Sequence, residues 1–240
     1  MSARSKADKI RMRLNACELL RLMKKFYTYE ELSSMLGLPI PVISRYVTGR
    51  VLPEYERALG LLKKYGNEFI SELAKKEIAF TEAGILDHSK LLSDIPLLEM
   101  AAKLAFAEFS EKKVDKVLTM EVDGIVFATL VAREFGAGLL IVKGKKEMGI
   151  REFVEVKRPY PSGTYSYIFL PKGLASPKER ILIVDDFIRT GLTVEAMVEL
   201  CGRIGGMVVG AYSLIAFPES LRKLSKKLDV KSLLVLDKIK

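Results

Sequence analysis

One stretch, residues 181–193, constrains the fold of this chain more than any other. It begins with the apolar run Ile-Leu-Ile-Val, which predicts a fully buried parallel strand. Asp185 and Asp186 follow at the carboxyl end of that strand, and a turn from Thr190 to Thr193 leads into a helical pattern. A strand, a glycine-bearing turn and a helix start together form a cradle for an anion, because free backbone N–H groups and the positive end of the helix dipole point at it.

The two aspartates restrict which anion fits this cradle. They repel a phosphate, but they suit a neighbouring diol whose hydroxyls donate to them, or a Mg²⁺ ion that they hold. A phosphate beside a diol is a ribose 5-phosphate. The plain alternative is an ordinary strand–helix turn with a capping threonine.

The order of residue types in this stretch resembles the phosphoribosyl-pyrophosphate (PRPP) motif of type I phosphoribosyltransferases. Both have apolar residues, two acids, two apolar residues, a variable position and Thr-Gly-x-Thr. The resemblance implies that PRPP, alone or with Mg²⁺, is the ligand. The residues that it assigns to PRPP binding are Asp185, Asp186, Phe187, Ile188, Arg189, Thr190, Gly191, Leu192 and Thr193.

Arg189 occupies the variable position of the motif. In the purine-converting enzymes of the family this position often carries an acid that accepts a proton from the base. An arginine stays protonated and cannot act as a general base. The position is also basic in the PRPP-binding purine repressor of Gram-positive bacteria, so the motif predicts PRPP binding without predicting turnover, and no catalytic residue is assigned.

Strand and helix patterns alternate between residues 95 and 236, which predicts an α/β fold with a parallel sheet. In the family, the loop after the first strand binds pyrophosphate through backbone N–H groups, and a basic residue after the next strand neutralises it. The resemblance assigns these roles to Glu121, Val122, Asp123, Gly124 and Lys143. For residues 121–124, the alternative is again a plain strand–helix turn.

Two further segments of this region carry predictions. Residues 151–170 alternate around Pro159-Tyr-Pro-Ser-Gly163, which predicts a β-hairpin where the family has a flexible loop. The single histidine, His88, lies in an irregular segment, and we expect it to be a loop or surface residue rather than a catalytic one.

The first third of the chain is basic and carries helix-turn-helix signals. The net charge is +9, and residues 1–80 hold 15 Lys and Arg against 9 Asp and Glu, which invites a polyanionic partner. Thr28 and Glu31 have capping-box spacing, and Gly37 suits the left-handed residue that ends a helix. A second short helix then begins near Pro39 or Pro41, where a missing N–H costs nothing, and it should expose Tyr46. A support helix follows, which Gly66-Asn67 is expected to break.

These signals predict a DNA-binding helix whose exposed residues reach base edges and phosphates. The candidate contacts are Pro41, Val42, Ser44, Arg45, Thr48 and Arg50. The alternative is a helical hood or a dimerisation module with a basic face.

The whole chain resembles the archaeal GfcR-type transcriptional regulators, in which a helix-turn-helix is fused to a phosphoribosyltransferase-like domain. The resemblance implies a DNA-binding domain at residues 1–80 and a PRPP-binding domain at 81–240. It also implies a homodimer that binds a double-stranded DNA operator and senses PRPP or a nucleotide as effector. We therefore expect a regulator and no enzyme. The alternative is an active phosphoribosyltransferase of the orotate or purine type.

Composition excludes several other classes of protein. Eighteen consecutive apolar residues occur nowhere, and the basic N-terminus lacks an apolar h-region, so neither a membrane span nor a signal peptide is expected. Cys17 and Cys201 are the only cysteines, which argues against a disulfide framework or a zinc site and fits a reducing cytoplasm. No metal-ligating residue is assigned.

Overall fold

The computed structural model describes residues 5–82, 84–160 and 162–237. The first third of the chain is helical. Its helices are α1 (Lys6–Met23), α2 (Tyr29–Leu36), α3 (Ile40–Val47), α4 (Tyr55–Gly60) and α5 (Asn67–Lys76). A π-helical turn, Leu61–Gly66, joins α4 to α5 without interruption.

The helix-turn-helix geometry follows from the local signals. The Glu31 N–H donates to Thr28 Oγ1 at 3.2 Å, and the Thr28 N–H donates to Glu31 Oε2 at 2.7 Å, so the predicted capping box is confirmed. Gly37 ends α2 with φ +64°, in the left-handed region that glycine adopts without strain. Pro41 lies in the first turn of α3.

Gly66 does not break the helix, contrary to the sequence expectation. Its φ and ψ are −65° and −48°, which are helical values. A Cβ at this position would lie 2.7 Å from Leu104 Cδ2 and 3.0 Å from Leu19 Cδ2. Glycine is therefore required here because two other helices approach closely.

The rest of the chain alternates strands and helices. A small ladder, β1 (Ala79–Phe80) with β2 (Leu86–Asp87), and a short helix, α6 (Ser89–Ser93), lie in the segment expected to be irregular. The elements that follow are α7 (Ile95–Glu108), β3 (Lys116–Met120), α8 (Gly124–Phe135), β4 (Gly138–Val142), β5 (Phe153–Pro159), β6 (Tyr165–Pro171), β7 (Arg180–Ile188), α9 (Leu192–Arg203), β8 (Met207–Ala216), α10 (Pro218–Leu224) and β9 (Val230–Val235).

Five of these strands form one sheet in the order β4-β3-β7-β8-β9, and every neighbouring pair is parallel. This confirms the predicted α/β fold with a parallel sheet. The central strand β7 is covered on both faces, since residues 181–184 are all fully buried. Leu182 and Val184 face a core shared with α7 and α8, whereas Ile181 and Ile183 face a core shared with α9.

β5 and β6 form the predicted hairpin, which packs against α9. The Arg203 Nη1 group on α9 donates to the backbone oxygen of Glu155 on β5 at 2.8 Å. Pro161, part of the predicted turn, lies outside the described residues. Among the described residues, no helix is both long enough and apolar enough to cross a membrane.

The N-terminal helices do not form a separate core. Buried residues of α1 to α5 belong to the same cluster as those of α7, α8 and one face of the sheet. Polar contacts also join the two parts: Arg11 Nη1 donates to the backbone oxygen of Glu134, and Asn15 Nδ2 donates to Glu134 Oε2 at 3.2 Å. The expectation of a distinct small domain is therefore not supported, and the boundary at residue 80 remains a prediction.

Candidate functional site

The order of the strands creates a crevice at the carboxyl ends of β3 and β7. The two strands are neighbours, but the chain continues from β3 to β4 on one side and from β7 to β8 on the other. At such a switch point the loops leave in opposite directions, and ligands of open α/β sheets bind in the gap between them.

A cavity of about 200 Å³ occupies this crevice. It brings together two segments that are more than 60 residues apart and that the sequence assigned separately to pyrophosphate and to ribose. The lining residues are Met120, Glu121, Val122, Asp123, Arg158, Asp185, Asp186, Phe187 and Thr193. A larger cavity, about 590 Å³, lies between the start of α1 and the start of β3, and it contains none of the assigned residues.

Asp185 is one of two acids inside β7, which extends four residues beyond the predicted apolar run. It is 8% exposed, and its Oδ1 accepts from the Asp186 N–H at 3.2 Å. Burial, followed by the charge of Asp186, raises the pKa of Asp185 well above its ordinary value. The helix start packs closely on this acid, because a Cβ at Gly124 would lie 3.3 Å from Asp185 Oδ1.

The pKa of Asp186 is shifted in the opposite direction to that of Asp185. His88 Nε2 lies 2.6 Å from Asp186 Oδ2. Burial opposes ionisation of Asp186, but the hydrogen bond and charge of His88 outweigh it and hold the pKa of Asp186 below its ordinary value. Neighbouring acids whose environments shift their pKa values in opposite directions can take different roles, one as a hydrogen-bond donor and the other as an acceptor.

His88 lies in a loop, as the sequence predicted, but its side chain contacts the site and is not a free surface group. It lies directly before α6, it is half-buried, and its Nε2–H donates to the ionised carboxylate of Asp186. The hydrogen bond with Asp186 raises the pKa of His88, although burial opposes this. The local pattern around residue 88 contains no signal of this contact, which arises from tertiary folding.

The 121–124 loop, which the resemblance assigns to pyrophosphate, lies between β3 and the start of α8, as predicted. The peptide bond between Glu121 and Val122 is cis, and Val122 is 73% exposed. Glu121 Oε1 accepts from the Gly144 N–H at 2.7 Å, so its carboxylate is directed to the neighbouring loop. Lys143 forms an ion pair with Glu147, so its charge already has a partner, and its role towards pyrophosphate remains a prediction.

The turn after β7 has the geometry of a phosphate cradle. Gly191 is the N-cap of α9 with φ +78° and has no side chain to cap the helix, while Thr190 Oγ1 accepts from the Leu192 N–H at 3.4 Å. Thr190 and Thr193 line a second cavity, about 260 Å³, together with Arg189 and Arg158. Two other residues assigned to PRPP pack inside the protein: Ile188 is buried, and Phe187 stacks edge-on against Phe217.

Arg158 is a site residue that sequence reasoning missed. It lies on β5, where the pattern indicated only a hairpin strand, yet it borders both cavities. Nothing in the local sequence distinguishes it from its neighbour Lys157.

One group of side chains could hold a cation. His88, Asp123 and Asp186 each place a ligand atom within 4.8 Å of the others. Carboxylate oxygens suit Mg²⁺, which usually binds one or two carboxylates together with phosphate oxygens. Asp123 and Asp186 therefore fit a Mg²⁺ ion that accompanies PRPP, although the sequence assigned no metal ligand.

The predicted DNA contacts lie on and just after α3. Pro41, Arg45, Thr48 and Arg50 are exposed, whereas Val42 and Ser44 are half-buried. Thr48 Oγ1 donates to the Ser44 carbonyl at 2.8 Å. Tyr46, which the sequence placed on the exposed side, is only 5% exposed, and its hydroxyl accepts from Arg57 Nη1 at 3.0 Å.

Some basic side chains of α1 form hydrogen bonds within the protein. Arg13 Nε donates to the Pro53 carbonyl at 2.6 Å, and Arg21 Nε donates to the Val47 carbonyl at 3.3 Å. The guanidinium groups of Arg45 and Arg50, by contrast, make no hydrogen bond or ion pair within residues 5–82, 84–160 and 162–237, although the Arg45 carbonyl accepts from Thr48 Oγ1. Free cationic groups therefore remain on the α3 side of the helices.

Comparison with known proteins identifies relatives of the sheet-forming part of the chain. Residues 88–239 match the family described as "Phosphoribosyl transferase domain". An adenine phosphoribosyltransferase from Yersinia pestis (strain Pestoides F) is 32% identical over 154 residues, covering 63% of this chain and 81% of the relative. One from Paracoccus denitrificans (strain Pd 1222) is 30% identical over 154 residues, covering 59% and 76%.

Solved structures agree with these relatives. The adenine phosphoribosyltransferase from Rhodothermus marinus DSM 4252 aligns with a TM-score of 0.63 at 28% identity, covering 70% of this chain and 99% of that one. The Saccharomyces cerevisiae enzyme aligns with a TM-score of 0.61 at 23% identity, covering 70% and 99%, and so shows the fold alone.

These relatives change two expectations. They are named as transferases, which contradicts the expectation that the chain is no enzyme and favours the alternative, an active phosphoribosyltransferase. They give no support to a GfcR-type regulator or to an archaeal source. The family match begins at His88, so α1 to α5 lie outside it.

Proposed function

Because this chain belongs to the phosphoribosyl transferase family, we propose that it transfers the phosphoribosyl group of PRPP to a nucleobase of the adenine class. In this reaction a base nitrogen forms a bond to C1′ of the ribose while the C1′–oxygen bond to pyrophosphate breaks. The adenine class is favoured by the names of the relatives at 30–32% identity.

The crevice between β3 and β7 is the observation that carries the proposal. A single cavity is lined by the 121–123 loop, by the acid pair and by Thr193. The loop suits pyrophosphate, the acid pair suits a ribose diol, and Thr193 suits a 5′-phosphate. Along the chain, these groups follow the order in which PRPP carries those parts.

The acid pair would hold the ribose through complementary hydrogen bonds. Asp186, kept ionised by His88, accepts from one hydroxyl. Asp185, whose pKa is raised, has a proton to donate to the other hydroxyl oxygen. The sugar is thereby oriented with C1′ towards the 121–124 loop, where pyrophosphate leaves.

Charge on the departing pyrophosphate needs compensation. Lys143, which the resemblance assigns to pyrophosphate, can stabilise the developing negative charge. Mg²⁺, when held by Asp123 and Asp186 with the phosphate oxygens, would supply further positive charge there. Arg189 cannot accept the proton of the base, which therefore passes to solvent or to another acceptor.

A turnover assay tests the proposal. Radiolabelled PRPP is incubated with Mg²⁺ and, separately, adenine, guanine, hypoxanthine, orotate and uracil. We expect product with adenine, and we expect Asp186→Asn to abolish it while Asp185→Asn, which keeps a neutral donor, retains part of the activity. Absence of product with all five bases would overturn the transferase proposal, and turnover of orotate or uracil alone would overturn the base class.

A second function, DNA binding by α3, is favoured by one observation: Arg45 and Arg50 are exposed beside a capped helix-turn-helix that the family match does not include. In this proposal the chain is a homodimeric regulator of the GfcR type. PRPP or a nucleotide binds one arrangement of the dimer better and changes the spacing of the two α3 helices on a double-stranded operator. Both functions use the same PRPP site.

A further inference from the structure

The cavity of about 260 Å³ lies between the hairpin and the turn that precedes α9. Arg158 and Tyr160 line it from the hairpin side, and Arg189, Thr190 and Thr193 line it from the turn. None of the described residues that line it carries a carboxylate. The neighbouring cavity, by contrast, is lined by four acids.

Arg158 is held there by neutral partners. Its Nη1 lies 3.2 Å from Met120 Sδ, and its Nη2 donates to the Tyr160 hydroxyl. Its Nε is buried and has no hydrogen-bond partner. It forms no ion pair with a carboxylate in the part of the chain that the structure describes.

A guanidinium in this state favours an anionic ligand. Removing a charge from water is unfavourable unless an opposite charge or a full set of hydrogen bonds compensates. The planar fork of arginine matches phosphate oxygens in a bidentate manner. Arg158 and Thr193 border both cavities, so a ligand that spans the two must pass between them.

We propose that Arg158, together with Arg189, holds the 5′-phosphate of the ribose ligand from the hairpin side. The bound phosphate then ties β5 to the start of α9. This assignment rests on the proposed function for the identity of the ligand, but it does not require turnover.

The lining of the carboxylate-free cavity indicates which phosphate of PRPP Arg158 binds. It contains the turn before α9, where the helix dipole is positive and the one side-chain bond to the helix start within the described residues, from the Leu192 N–H to Thr190 Oγ1, is long at 3.4 Å. Pyrophosphate on C1′ would instead lie towards the 121–124 loop, in the cavity with four acids. Arg158 is thus a determinant of specificity for a phosphorylated sugar.

Calorimetry with two different probes tests the assignment. Arg158→Met keeps the length of the stem and removes the fork, and Arg158→Lys keeps the charge alone. We expect Arg158→Met to weaken binding of ribose 5-phosphate by about tenfold or more, with a smaller loss for Arg158→Lys. Binding of inorganic pyrophosphate with Mg²⁺ changes by less than about twofold in both variants.

Lys157→Met is the matched control. Lys157 is the adjacent residue on β5, it is exposed, and its Nζ lies 3.7 Å from the centre of the Tyr165 ring, away from the cavity. This variant should bind both probes as the unaltered protein does. An unchanged affinity of Arg158→Met for ribose 5-phosphate would overturn the proposal, and so would an equal loss for both probes.

Hydrogen exchange distinguishes phosphate binding by Arg158 from a purely structural role of this residue. Ribose 5-phosphate should protect the backbone amides of β5 in the unaltered protein but not in Arg158→Met. Equal protection in both proteins would contradict the tie between phosphate and hairpin. If ribose 5-phosphate binds as expected but no base is turned over, the transferase proposal fails and this one stands.

Discussion

His88 Nε2 lies 2.6 Å from Asp186 Oδ2, although 98 residues separate them in the chain. The contact joins the segment before α6 to the carboxyl end of β7. It involves the single histidine of the chain and an acid that we assign to the ribose. The pair should therefore make the free energy of unfolding depend on pH, and it includes a residue that we assign to ligand binding.

We expect His88→Gln to lower the free energy of unfolding by about 1–2 kcal/mol near pH 5. The pKa of His88 is raised, so its contribution is full below its ordinary value, about 6.5, and is lost as pH rises through the folded value. The pKa of Asp186 is lowered, so its contribution is present above its ordinary value, about 3.9, and is lost as pH falls through the folded value.

Denaturant unfolding at a series of pH values measures this difference. It should be largest between about pH 4 and pH 6.5 and should decline as pH rises through the raised pKa of His88, above which the histidine is neutral in both states. Lys90→Gln, an exposed change two residues away, should leave the profile unaltered. A difference independent of pH would mean that the pair contributes packing and no charge.

Gly124→Ala should disturb the site, because the added Cβ would lie 2.6 Å from Thr119 Oγ1 and 3.3 Å from Asp185 Oδ1. We expect a loss of about 1–3 kcal/mol in the free energy of unfolding and weaker PRPP binding. Gly202→Ala is the control, since nothing lies within 4 Å of its Cβ, and it should stabilise helix α9 by up to about 1 kcal/mol. Equal effects of the two changes on PRPP affinity would argue against close packing at Asp185.

Gly66→Ala tests whether the N-terminal helices and the sheet share one core. The added Cβ would clash with Leu104 of α7 and Leu19 of α1, so we expect a loss of about 1–3 kcal/mol. Gly60→Ala, with nothing within 4 Å of its Cβ, should stabilise instead. Unfolding followed by helix content and by tyrosine fluorescence should give one coincident transition, and two separated transitions would indicate independent units.

Arg45→Ala should weaken binding to double-stranded DNA and leave PRPP affinity unchanged. A lost phosphate contact reduces the dependence of log K on log salt by about one unit, and a lost base contact costs about 1–3 kcal/mol. Fluorescence anisotropy with duplexes selected from a random library measures both. Lys226→Ala removes one positive charge from an exposed position beyond α10 and should have little effect. Equal losses in the two variants would indicate attraction by net charge alone.

The local predictions were accurate where short-range chemistry decides the structure. Thr28, Glu31 and Gly37 adopt the cap geometry read from their spacing, and the apolar run at 181–184 is a fully buried strand. The errors concern residues whose neighbours come from elsewhere in the chain. Gly66 looked like a helix breaker because the closeness of Leu19 and Leu104 is invisible in the sequence. Tyr46 looked exposed because its partner, Arg57, follows in a separate helix.

By itself, the sequence determined the order of strands and helices, the parallel sheet and the two segments that we assign to a phosphorylated sugar, because periodicity, caps and motif spacing are local properties. Only the tertiary structure decided how those segments meet. Strand order places the 121–124 loop beside Asp185 and Asp186, brings His88 to Asp186, and puts Arg158 between the two cavities. These contacts depend on how elements pack across the sheet, and packing joins residues that no local pattern connects.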